Sequence, residues 1–381
     1  MVLSEVFPPQ KGGSGNWLWE IYKRQTVGSY LMAVGNSQGD DPRDAEYPQQ
    51  IERLNLAMPF RGISRFNSLG HYSRQIRLIR RLVRRRQVKL IHASRPLSEG
   101  LVARSVKFTD GIPYLCYVHG EDVNVAMSSR ELKLLTQNVL KHASAIVANS
   151  SFTRQLLLSD WSIPAEKIIL MHPGVDTDYF VPAEGDHGRP KSWTDKTVLM
   201  TVGRLQARKG HDTVIRALSE LIHELPNLHY VIVGGGEERA SLERLADSLE
   251  VAKHVEFVGE IDALALRQYY QHCDLFVLAN RTIGRDVEGF GMVLLEAQAC
   301  GKPVIAGASG GTIDTMRVGL SGNVIDCNTT QQLTKTIRSL AGDRTRLAQM
   351  GQAGRQHVVE RFAWPSLARQ AHEAFRSIGS Q

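Results

Sequence analysis

The feature that most constrains the fold is a regular alternation of short apolar segments with amphipathic helical patterns along the whole chain. The apolar segments are almost continuously rich in Val, Ile and Leu, which is typical of strands buried on both faces. Strands that alternate with helices in this way form parallel sheets, so the sequence predicts an α/β fold with doubly wound, Rossmann-like sheets. The predicted strands are 1–6, 30–34, 89–94, 114–120, 145–150 and 168–175 in the first half, and 197–203, 228–236, 254–259, 274–280, 302–307 and 322–327 in the second.

A polar segment rich in Gly and Pro, VPAEGDHGRPKSWTDK (181–196), interrupts this alternation. At 381 residues the chain also exceeds the roughly 250–300 residues that one hydrophobic core supports. We therefore expect two domains facing each other across a cleft, with ligands held at the carboxyl ends of the strands. The predicted boundaries are 1–182 for the N-terminal domain, 183–196 for the linker, 197–360 for the C-terminal domain, and 361–381 for a helix that returns to the first domain.

Composition narrows the class of protein. Hydrophobic residues make up 42% and charged residues 22% of the chain, a balance typical of globular proteins. No apolar run approaches the roughly 18 residues needed to cross a bilayer, and the first residues, MVLSEVFPP, do not look like a secretory signal. The four cysteines form no CxxC pair, which favours reduced thiols rather than a disulfide framework or a metal site. We expect a cytoplasmic protein, peripheral on the inner face of the cell membrane.

The segment RQIRLIRRLVRRRQVK (74–89) carries eight basic residues and no acidic one. Its apolar residues recur at helical spacing, so one stripe of the predicted helix is apolar and the rest is cationic. The helix either packs on a domain with its charges in solvent or binds an anionic membrane surface. Nucleic acid is not an expected partner, because no nucleic-acid-binding module accompanies the patch. The basic residues are Arg74, Arg77, Arg80, Arg81, Arg84, Arg85, Arg86 and Lys89.

The first glycine cluster, FPPQKGGSGNW, follows the first predicted strand and leads into a helix. Gly12 and Gly13 would let the backbone approach a ligand, and the helix amino end favours an anion. The dinucleotide fingerprint G-x-G-x-x-G is not satisfied, because position 18 is Leu, and Asp40 and Asp41 lie well beyond the second strand. The alternatives are an anion-binding turn and a tight turn without a ligand.

The second half carries three further loops at strand ends. GRLQARKG places Arg204 and Lys209 where their charges could converge on a phosphate. VIVGGGEE adds Gly234 and Gly235, and DVEGFGMVLLE turns a glycine loop into a helix. The backbone amides of Gly291, Met292 and Val293 would face an anion there. Together these loops predict a cradle for a diphosphate.

Two acids stand beside this cradle. Glu296 is the only charged residue between Gly289 and Gly301, and a buried carboxylate requires a partner. On the second turn of the helix its side chain tilts toward the helix amino end, where it could accept two hydrogen bonds from a vicinal diol such as a ribose. Glu288, in the preceding loop, would meet the group on the other side of the diphosphate. The alternative is one capping acid and one structural acid.

These residues resemble the retaining glycosyltransferases of the GT-B fold, family 4. EGFGMVLLE matches the E-x7-E motif of that family, and GRLQARKG, GGGEE, FVGE, HPGVDTDYF and FPPQKGG match it in the same order over nearly the whole chain. The resemblance implies that Glu296 binds the ribose of a nucleotide-sugar, Glu288 the sugar hydroxyls, and Arg204 and Lys209 the diphosphate. It further implies that the backbone of Gly289, Phe290 and Gly291 contacts the sugar, that Val258 of FVGE lies at the nucleotide, and that His119 of YVHGED sits beside the donor sugar.

The segment RTIGRDVEG looks most like mannosyltransferases that modify phosphatidylinositol lipids with GDP-mannose. The resemblance therefore implies transfer of a hexose such as mannose, with retention, to a glycan or lipid-linked acceptor at the cytoplasmic membrane face. Stabilisation of the leaving diphosphate is the expected contribution of the protein, without a metal cofactor. Two departures from the family pattern are Asp314 after the SGG turn and the acidic pair Glu121 and Asp122 after His119.

Three other functions share some of these features. A nicotinamide dehydrogenase would need the missing fingerprint. A GT-B epimerase or phosphorylase would share the architecture but release or rearrange the sugar. A non-catalytic anion-binding or membrane-associated GT-B protein would keep the basic helix and tolerate loss of Glu288 and Glu296.

Overall fold

The chain divides into two compact units. The computed structural model describes residues 1–10, 12–36, 42–58, 62–63, 66–185 and 188–379. The first unit consists of Met1–Pro173 together with Trp364–Gln381, and the second of Gly174–Ala363. Asp40 and Asp41, residues 186–187 of the predicted linker and residues 380–381 of the predicted returning helix lie outside the described residues.

The first unit is built on a seven-stranded sheet. Its strands are β1 (Val2–Ser4), β2 (Leu31–Gly35), β3 (Gln50–Leu54), β4 (Ile91–Ala93), β5 (Tyr114–Val118), β6 (Ala145–Ala148) and β7 (Ile168–Leu170). All pairs are parallel, in the order β3-β2-β1-β4-β5-β6-β7. Every residue of β5 is buried, as expected for a strand covered on both faces. The chain reverses its winding direction between β1 and β4, where ligands bind in doubly wound sheets.

Helices cover this sheet. They are α1 (Gly13–Lys23), α2 (Arg43–Glu46), α3 (Phe66–Arg85), α4 (Leu101–Asp110), α5 (Glu121–Ala126), α6 (Arg130–His142) and α7 (Ser151–Ser159). Short polar residues begin two of them, since the Ser129 hydroxyl accepts from the Leu132 amide and the Ser150 hydroxyl from the Thr153 amide. The apolar stripe of α3 packs into the core of this unit: Ile79, Leu82 and Val83 are buried, and Ile76 packs against them.

The second unit repeats the plan with six parallel strands. They are β8 (Thr197–Val202), β9 (Leu228–Val233), β10 (Val255–Gly259), β11 (Leu275–Leu278), β12 (Val304–Gly307) and β13 (Gly322–Ile325). Their order is β10-β9-β8-β11-β12-β13, with the reversal between β8 and β11. The helices are α8 (His211–Leu221), α9 (Arg239–Ser248), α10 (Ala263–His272), α11 (Met292–Ala299), α12 (Gln331–Ala341) and α13 (Arg344–Arg361). Two doubly wound sheets are thus present, which confirms the predicted fold class.

The first and last segments of the second unit are bonded to each other, and the helix that follows them belongs to the first unit. The Val175 amide donates to the Phe362 carbonyl at 2.9 Å, and the Val175 side chain packs with Phe290 and Leu295. The final helix, α14 (Trp364–Gly379), belongs to the first unit. There the Phe375 ring stacks on Tyr22, with centroids 5.8 Å apart and planes 10° apart.

Candidate active site

Four loops of the second unit gather at the carboxyl ends of β8, β9, β11 and β12. The loops after β8 and β9 are packed so closely that a Cβ on Gly234 would lie 2.0 Å from the Gly203 carbonyl oxygen. Gly234 also has a φ of +132°, so glycine is required there. In the loop after β12, a Cβ on Gly310 would lie 1.8 Å from the carbonyl oxygen of Glu288. Glycine backbone therefore fixes the position of the segment that carries Glu288.

The Glu288 carboxylate is the centre of an ion-pair network. Its Oε2 accepts from Lys209 Nζ at 2.5 Å and from Arg208 Nη1 at 2.7 Å. Arg208 Nε also lies 3.2 Å from Asp286 Oδ1. Burial alone would raise the pKa of Glu288, but the two cations outweigh burial and hold its pKa below the usual range. Glu288 is therefore ionised at neutral pH, with two cations on a single oxygen.

The sequence pointed to Arg204 and Lys209 as the cations, and the structure adds Arg208. A short 3₁₀ turn (Ala207–Lys209) brings Arg208 and Lys209 to the same carboxylate. Arg204 is exposed, and within the described part of the chain its side chain forms no ion pair shorter than 4 Å. The run LQARKG did not reveal which of its basic side chains turns toward Glu288, because the turn is too short to show a periodicity.

Glu296 lies on α11, half-buried, and is hydrogen-bonded within the unit. Its Oε2 accepts from the Tyr270 hydroxyl at 2.7 Å. Burial raises the pKa of Glu296, and the hydrogen bond from Tyr270 lowers it in part. Tyr270 is the one donor to this carboxylate within the described residues, so Oε1 retains its accepting capacity. The sequence did not reveal Tyr270, which lies on α10.

The amino end of α11 faces the same region. Gly291 precedes the helix with φ 93° and ψ 58°, and no side chain caps the first amides. The N–H groups of Met292 and Val293 are therefore available to an anion, which the helix dipole favours at this end. The Phe290 side chain is buried in an apolar cluster, so this residue can offer a ligand only its backbone.

Three residues predicted to contact the nucleotide, Gly234, Gly235 and Val258, lie in or beside the loops at the ends of β9 and β10. The Gly234 amide donates to the Gly259 carbonyl at 2.8 Å, and the Gly235 carbonyl accepts from the Leu205 amide at 3.0 Å. Val258 packs against the core of the unit. The backbone bonds of the two glycines connect the ends of β8, β9 and β10, and Val258 contributes to the core. All three residues therefore have a structural role.

The remaining predicted residues lie in the first unit. His119 follows β5, and its Nε2 lies 2.7 Å from the Ser94 carbonyl, so Nε2 carries the proton and Nδ1 is an acceptor. Burial lowers the pKa of His119, against the opposing effect of Asp122, so the ring is neutral at pH 7. Gly12 lies in extended backbone just before α1, and Gly13 is the first residue of the helix.

A second buried glutamate, which the sequence did not reveal, lies at the reversal point of the first sheet. Glu99 is 3% exposed. Its Oε1 accepts from the Glu5 amide and the Ser94 hydroxyl, both at 2.8 Å, and its Oε2 from the Ser98 amide at 3.1 Å. These bonds tie the ends of β1 and β4 together.

The basic face of α3 is partly neutralised by two acids that are distant in sequence. The ion pairs are Arg80–Asp110, Arg84–Asp110, Arg85–Glu52 and Arg86–Glu52, at 2.6, 2.6, 2.7 and 3.6 Å. Arg74, Arg77, Arg81 and Lys89 are exposed. Because the apolar stripe of the helix is in the core, these charges are what α3 offers to an external surface.

The described residues contain neither a membrane-spanning helix nor a cluster of metal-binding side chains. None of the described helices is long and apolar enough to span a bilayer. In the same part of the chain, His, Cys, Asp and Glu side chains do not converge in threes as a metal site requires.

Two doubly wound domains, the second with basic glycine loops at its strand ends, define the class of GT-B glycosyltransferases. Comparison with known families agrees. Residues 33–179 match Glycosyltransferase Family 4, and residues 184–357 match Glycosyl transferases group 1. The chain therefore carries a Glycosyltransferase Family 4 domain followed by a Glycosyl transferases group 1 domain.

Its relatives include proteins whose names describe them as GDP-mannose-dependent mannosyltransferases. The chain is 29% identical to the GDP-mannose-dependent alpha-(1-6)-phosphatidylinositol monomannoside mannosyltransferase of Mycolicibacterium smegmatis, over 96% of this chain and 94% of that protein. It is 27% identical to the corresponding enzyme for the monoacylated substrate from Corynebacterium glutamicum, over 96% of this chain and 94% of that protein.

Solved structures share the fold at lower identity. Sucrose-phosphate synthase from Thermosynechococcus elongatus aligns with a TM-score of 0.83 at 22% identity, over 100% of this chain and 99% of that one. Anabaena HepE in complex with UDP aligns with a TM-score of 0.81 at 20% identity, over 99% of each chain.

Proposed function

We propose that this protein is a retaining hexosyltransferase that uses a nucleotide-diphosphate sugar, with GDP-mannose as the first donor to test. The observation that carries the proposal is the pairing of Lys209 and Arg208 on one oxygen of Glu288, beside the uncapped amino end of α11. The names of the two mannosyltransferase relatives support GDP-mannose. HepE, a structural neighbour bound to UDP, makes a uridine donor the natural comparison.

The charge balance of the network suits a diphosphate. Lys209 and Arg208 both contact the buried Glu288 carboxylate at 2.5 and 2.7 Å, whereas the more exposed Asp286 lies 3.2 Å from Arg208 Nε. A diphosphate bound at the α11 amino end would draw the two cations toward its oxygens. Such preorganised positive groups stabilise charge as it develops on a leaving group, and this is the contribution that a divalent metal would otherwise make.

The two acids then take different roles. Glu288, released from one or both cations, accepts hydrogen bonds from hydroxyls of the donor sugar. Glu296 accepts hydrogen bonds from the ribose hydroxyls through Oε1, while Tyr270 holds Oε2. His119 presents an unprotonated Nδ1, which suits an additional sugar hydroxyl.

In the proposed reaction the bond between the anomeric carbon and the β-phosphate oxygen breaks, and a bond from the acceptor hydroxyl oxygen forms on the same face. The hydroxyl proton moves to the departing phosphate oxygen, so the products are the glycoside and the nucleoside diphosphate. Lys209, Arg208 and the α11 amides stabilise the diphosphate as its charge develops.

The acceptor is proposed to be a polyol or glycan on a lipid, met at an anionic membrane surface. An anionic leaflet contributes about 1 kcal/mol per nearby Lys or Arg. The exposed charges of α3 make adsorption electrostatic, reversible and sensitive to salt. Co-sedimentation with vesicles should require anionic lipid and should fall more for Arg77→Gln/Arg81→Gln than for Arg80→Gln/Arg84→Gln, because Arg80 and Arg84 are both paired with Asp110. Equal binding to neutral vesicles would contradict this part.

Donor choice and stereochemistry are tested together. Thermal shift with GDP-mannose, UDP-glucose and ADP-glucose should single out one donor, because a ligand at 100 times its Kd stabilises by about 2.7 kcal/mol. NMR of the product with that donor should show the donor's own anomeric configuration. Inversion would contradict retention, phosphate-dependent sugar release would indicate a phosphorylase, and no donor binding would indicate a non-catalytic protein.

A further inference from the structure

A cavity of about 670 Å³ opens at the amino ends of the strands of the first unit. Its wall includes the starts of β2 and β3, the turn between α3 and β4, and the last turns of α14. His119 and Glu99 lie at or near the opposite, carboxyl ends of this sheet. The cavity therefore lies at the opposite end of this sheet from His119 and Glu99, and neither of them is among the described residues of its wall.

Its wall is cationic. Arg86, Lys89 and Arg376 line it together with His372, and no carboxylate occurs among the described residues of the wall. Arg86 Nη2 lies 3.6 Å from Oε2 of Glu52, a residue that does not line the cavity. A concave surface with one sign of charge concentrates ligands of the opposite sign.

Uncommitted hydrogen-bonding groups also face the space. Tyr30 lines the cavity, and its hydroxyl has no partner among the described side chains and backbone. Burial raises the pKa of Tyr30 to about 12, so the hydroxyl remains a donor at neutral pH. His372 Nδ1 donates to Gln25 Oε1 at 3.1 Å, because the Gln25 amide nitrogen already donates to two carbonyls. His372 Nε2 is the atom left to face a ligand.

The apolar part of the wall is held in place by the core. Phe375 stacks on the buried Tyr22 and contacts His92 at a centroid distance of 4.8 Å. Tyr30 contacts both Tyr22 and His92 edge-on. A ligand would therefore meet an aromatic floor held by the core and a rim of the exposed cations Arg86, Lys89 and Arg376.

We propose that this cavity binds a phosphate-bearing ligand, with Lys89, Arg86 and Arg376 on the phosphate and the Tyr30–Phe375 floor under its less polar part. Arg suits a phosphate through its planar fork and Lys through its point charge. The phosphate comes either from a free metabolite or from the headgroup of a lipid. The site does not depend on the proposed transferase activity.

Calorimetric titration of the full chain with two probes tests the site. Inorganic pyrophosphate represents a free phosphate, and dihexanoyl phosphatidic acid below its micelle concentration represents a lipid, with dihexanoyl phosphatidylcholine as the neutral control. Two variants alter the cavity: Lys89→Gln/Arg376→Gln removes two exposed cations, and Gln50→Glu places a carboxylate in the wall with little change in shape.

The matched control is Arg77→Gln/Arg81→Gln, which removes the same charge from exposed positions of α3 that do not line the cavity. A Lys209→Gln chain identifies any pyrophosphate that binds at the strand ends of the second unit. We expect each cavity variant to weaken binding about tenfold or more, as for a lost hydrogen bond to a charged group. The control and Lys209→Gln should keep the cavity affinity.

The outcomes separate the sources. If phosphatidic acid binds more tightly than pyrophosphate and the cavity variants weaken its binding, the ligand is a lipid. If pyrophosphate binds more tightly and the cavity variants weaken its binding, the ligand is a free phosphate. Equal loss in the cavity variant and the α3 control would show diffuse surface attraction and overturn the proposal. Binding lost only in Lys209→Gln, or no binding of either probe, would also overturn it. Pyrophosphate binding that is lost only in Lys209→Gln would overturn the cavity site but leave the proposed function standing, because Lys209 belongs to the proposed diphosphate site of the second unit.

Discussion

Each sheet holds a buried glutamate near its reversal point, and the two differ in their partners. Glu99 accepts from two backbone amides and a serine hydroxyl, all held at the strand ends, and Arg95 Nε lies at a longer 3.6 Å from its Oε1. Glu288 is held by Lys209 and Arg208, two long side chains that can turn toward another anion. We therefore expect the same residue type, at equivalent topological positions, to be structural in one domain and to exchange its partners in the other.

Under the proposed function, this difference indicates which of the two domains holds the donor. Burial alone does not distinguish the two carboxylates, since Glu99 is 3% exposed and Glu288 8% exposed. The partners do distinguish them. A carboxylate paired only with mobile cations leaves a net positive site when it is displaced, whereas one bonded to backbone amides leaves unsatisfied donors.

The largest expected effect is on Lys209. Lys209→Met should lower kcat by about 10²–10³, the usual cost of removing one group that stabilises a developing anion. Steady-state kinetics with the preferred nucleotide-sugar provides the measurement, and Lys253→Met, at an exposed position of the same unit, is the control. Wild-type turnover in Lys209→Met would remove the main support for the comparison.

Glu288→Gln should lower turnover about 10- to 100-fold, because a neutral amide accepts weaker hydrogen bonds from sugar hydroxyls. The same change leaves Lys209 and Arg208 without their carboxylate, so the thermal midpoint should fall in the free protein. Added nucleoside diphosphate should restore it, since the diphosphate takes the vacated position. A variant that is destabilised but not restored would class Glu288 with Glu99.

Glu99→Gln should cost about 1–3 kcal/mol of stability, because a buried amide cannot accept from all the donors that the carboxylate satisfies. Nucleoside diphosphate should not correct this loss beyond its effect on the parent. Denaturant unfolding with and without nucleotide distinguishes the two glutamates. Restoration equal to that of Glu288→Gln would contradict the difference drawn here.

Glu296→Ala should weaken nucleotide binding about tenfold, roughly one hydrogen bond to a charged group, with a smaller effect on turnover of bound donor. Tyr270→Phe is the control, because it removes the partner on Oε2 and leaves the carboxylate. Calorimetric titration with the nucleoside diphosphate measures both. Equal affinities in the parent and Glu296→Ala would place the ribose elsewhere.

The affinity for the nucleotide should also depend on pH, because the Glu296 carboxylate must be ionised to accept hydrogen bonds from the ribose. The pKa of Glu296 is raised by burial, so its carboxylate takes up a proton at a higher pH than an ordinary Glu. Affinity should fall as the pH decreases through that value, while protonation favours folding, because the unfolded chain holds this proton less tightly. Glu296→Ala should lose this pH dependence.

The smallest expected effect is that of a chelator. Activity should persist in EDTA, because Lys209, Arg208 and the α11 amides compensate the diphosphate charge. Full loss of activity that Mg²⁺ or Mn²⁺ restores would contradict this expectation.

The sequence predicted the strands of both sheets well, because segments such as YLCYV and LHYVIV are apolar throughout. It missed β3, QIERL, whose alternating polar residues lie at the sheet edge with only Leu54 buried. The apolar stripe of α3 was visible in the sequence, but the sequence did not show whether the stripe packs in the protein core or contacts lipid. Ile79 and Val83 lie in the core, which leaves no apolar face for the shallow insertion into lipid that their pattern allowed.

The site was harder to predict because its contacts join residues that are distant in the chain. Glu288 and Glu296 were identified from their place in a glycine loop and an apolar helix. Their partners Arg208 and Tyr270 come from other strand-end loops and helices, and no local pattern marks them. Asp110 and Glu52, which pair with four of the eight basic residues of this segment, are likewise remote from it in sequence.

The return of α14 to the first unit reverses the order in which the two halves can be completed during synthesis. Residues 174–363 leave the ribosome before α14 does, and the Val175–Phe362 contact already joins their ends. The second half can therefore finish folding as it emerges, as domains commonly do. The first half, although translated earlier, waits for the final helix to cover Tyr22 and the aromatic floor around it. A released chain truncated after residue 363 should accordingly contain a protease-resistant second half and an incomplete first one.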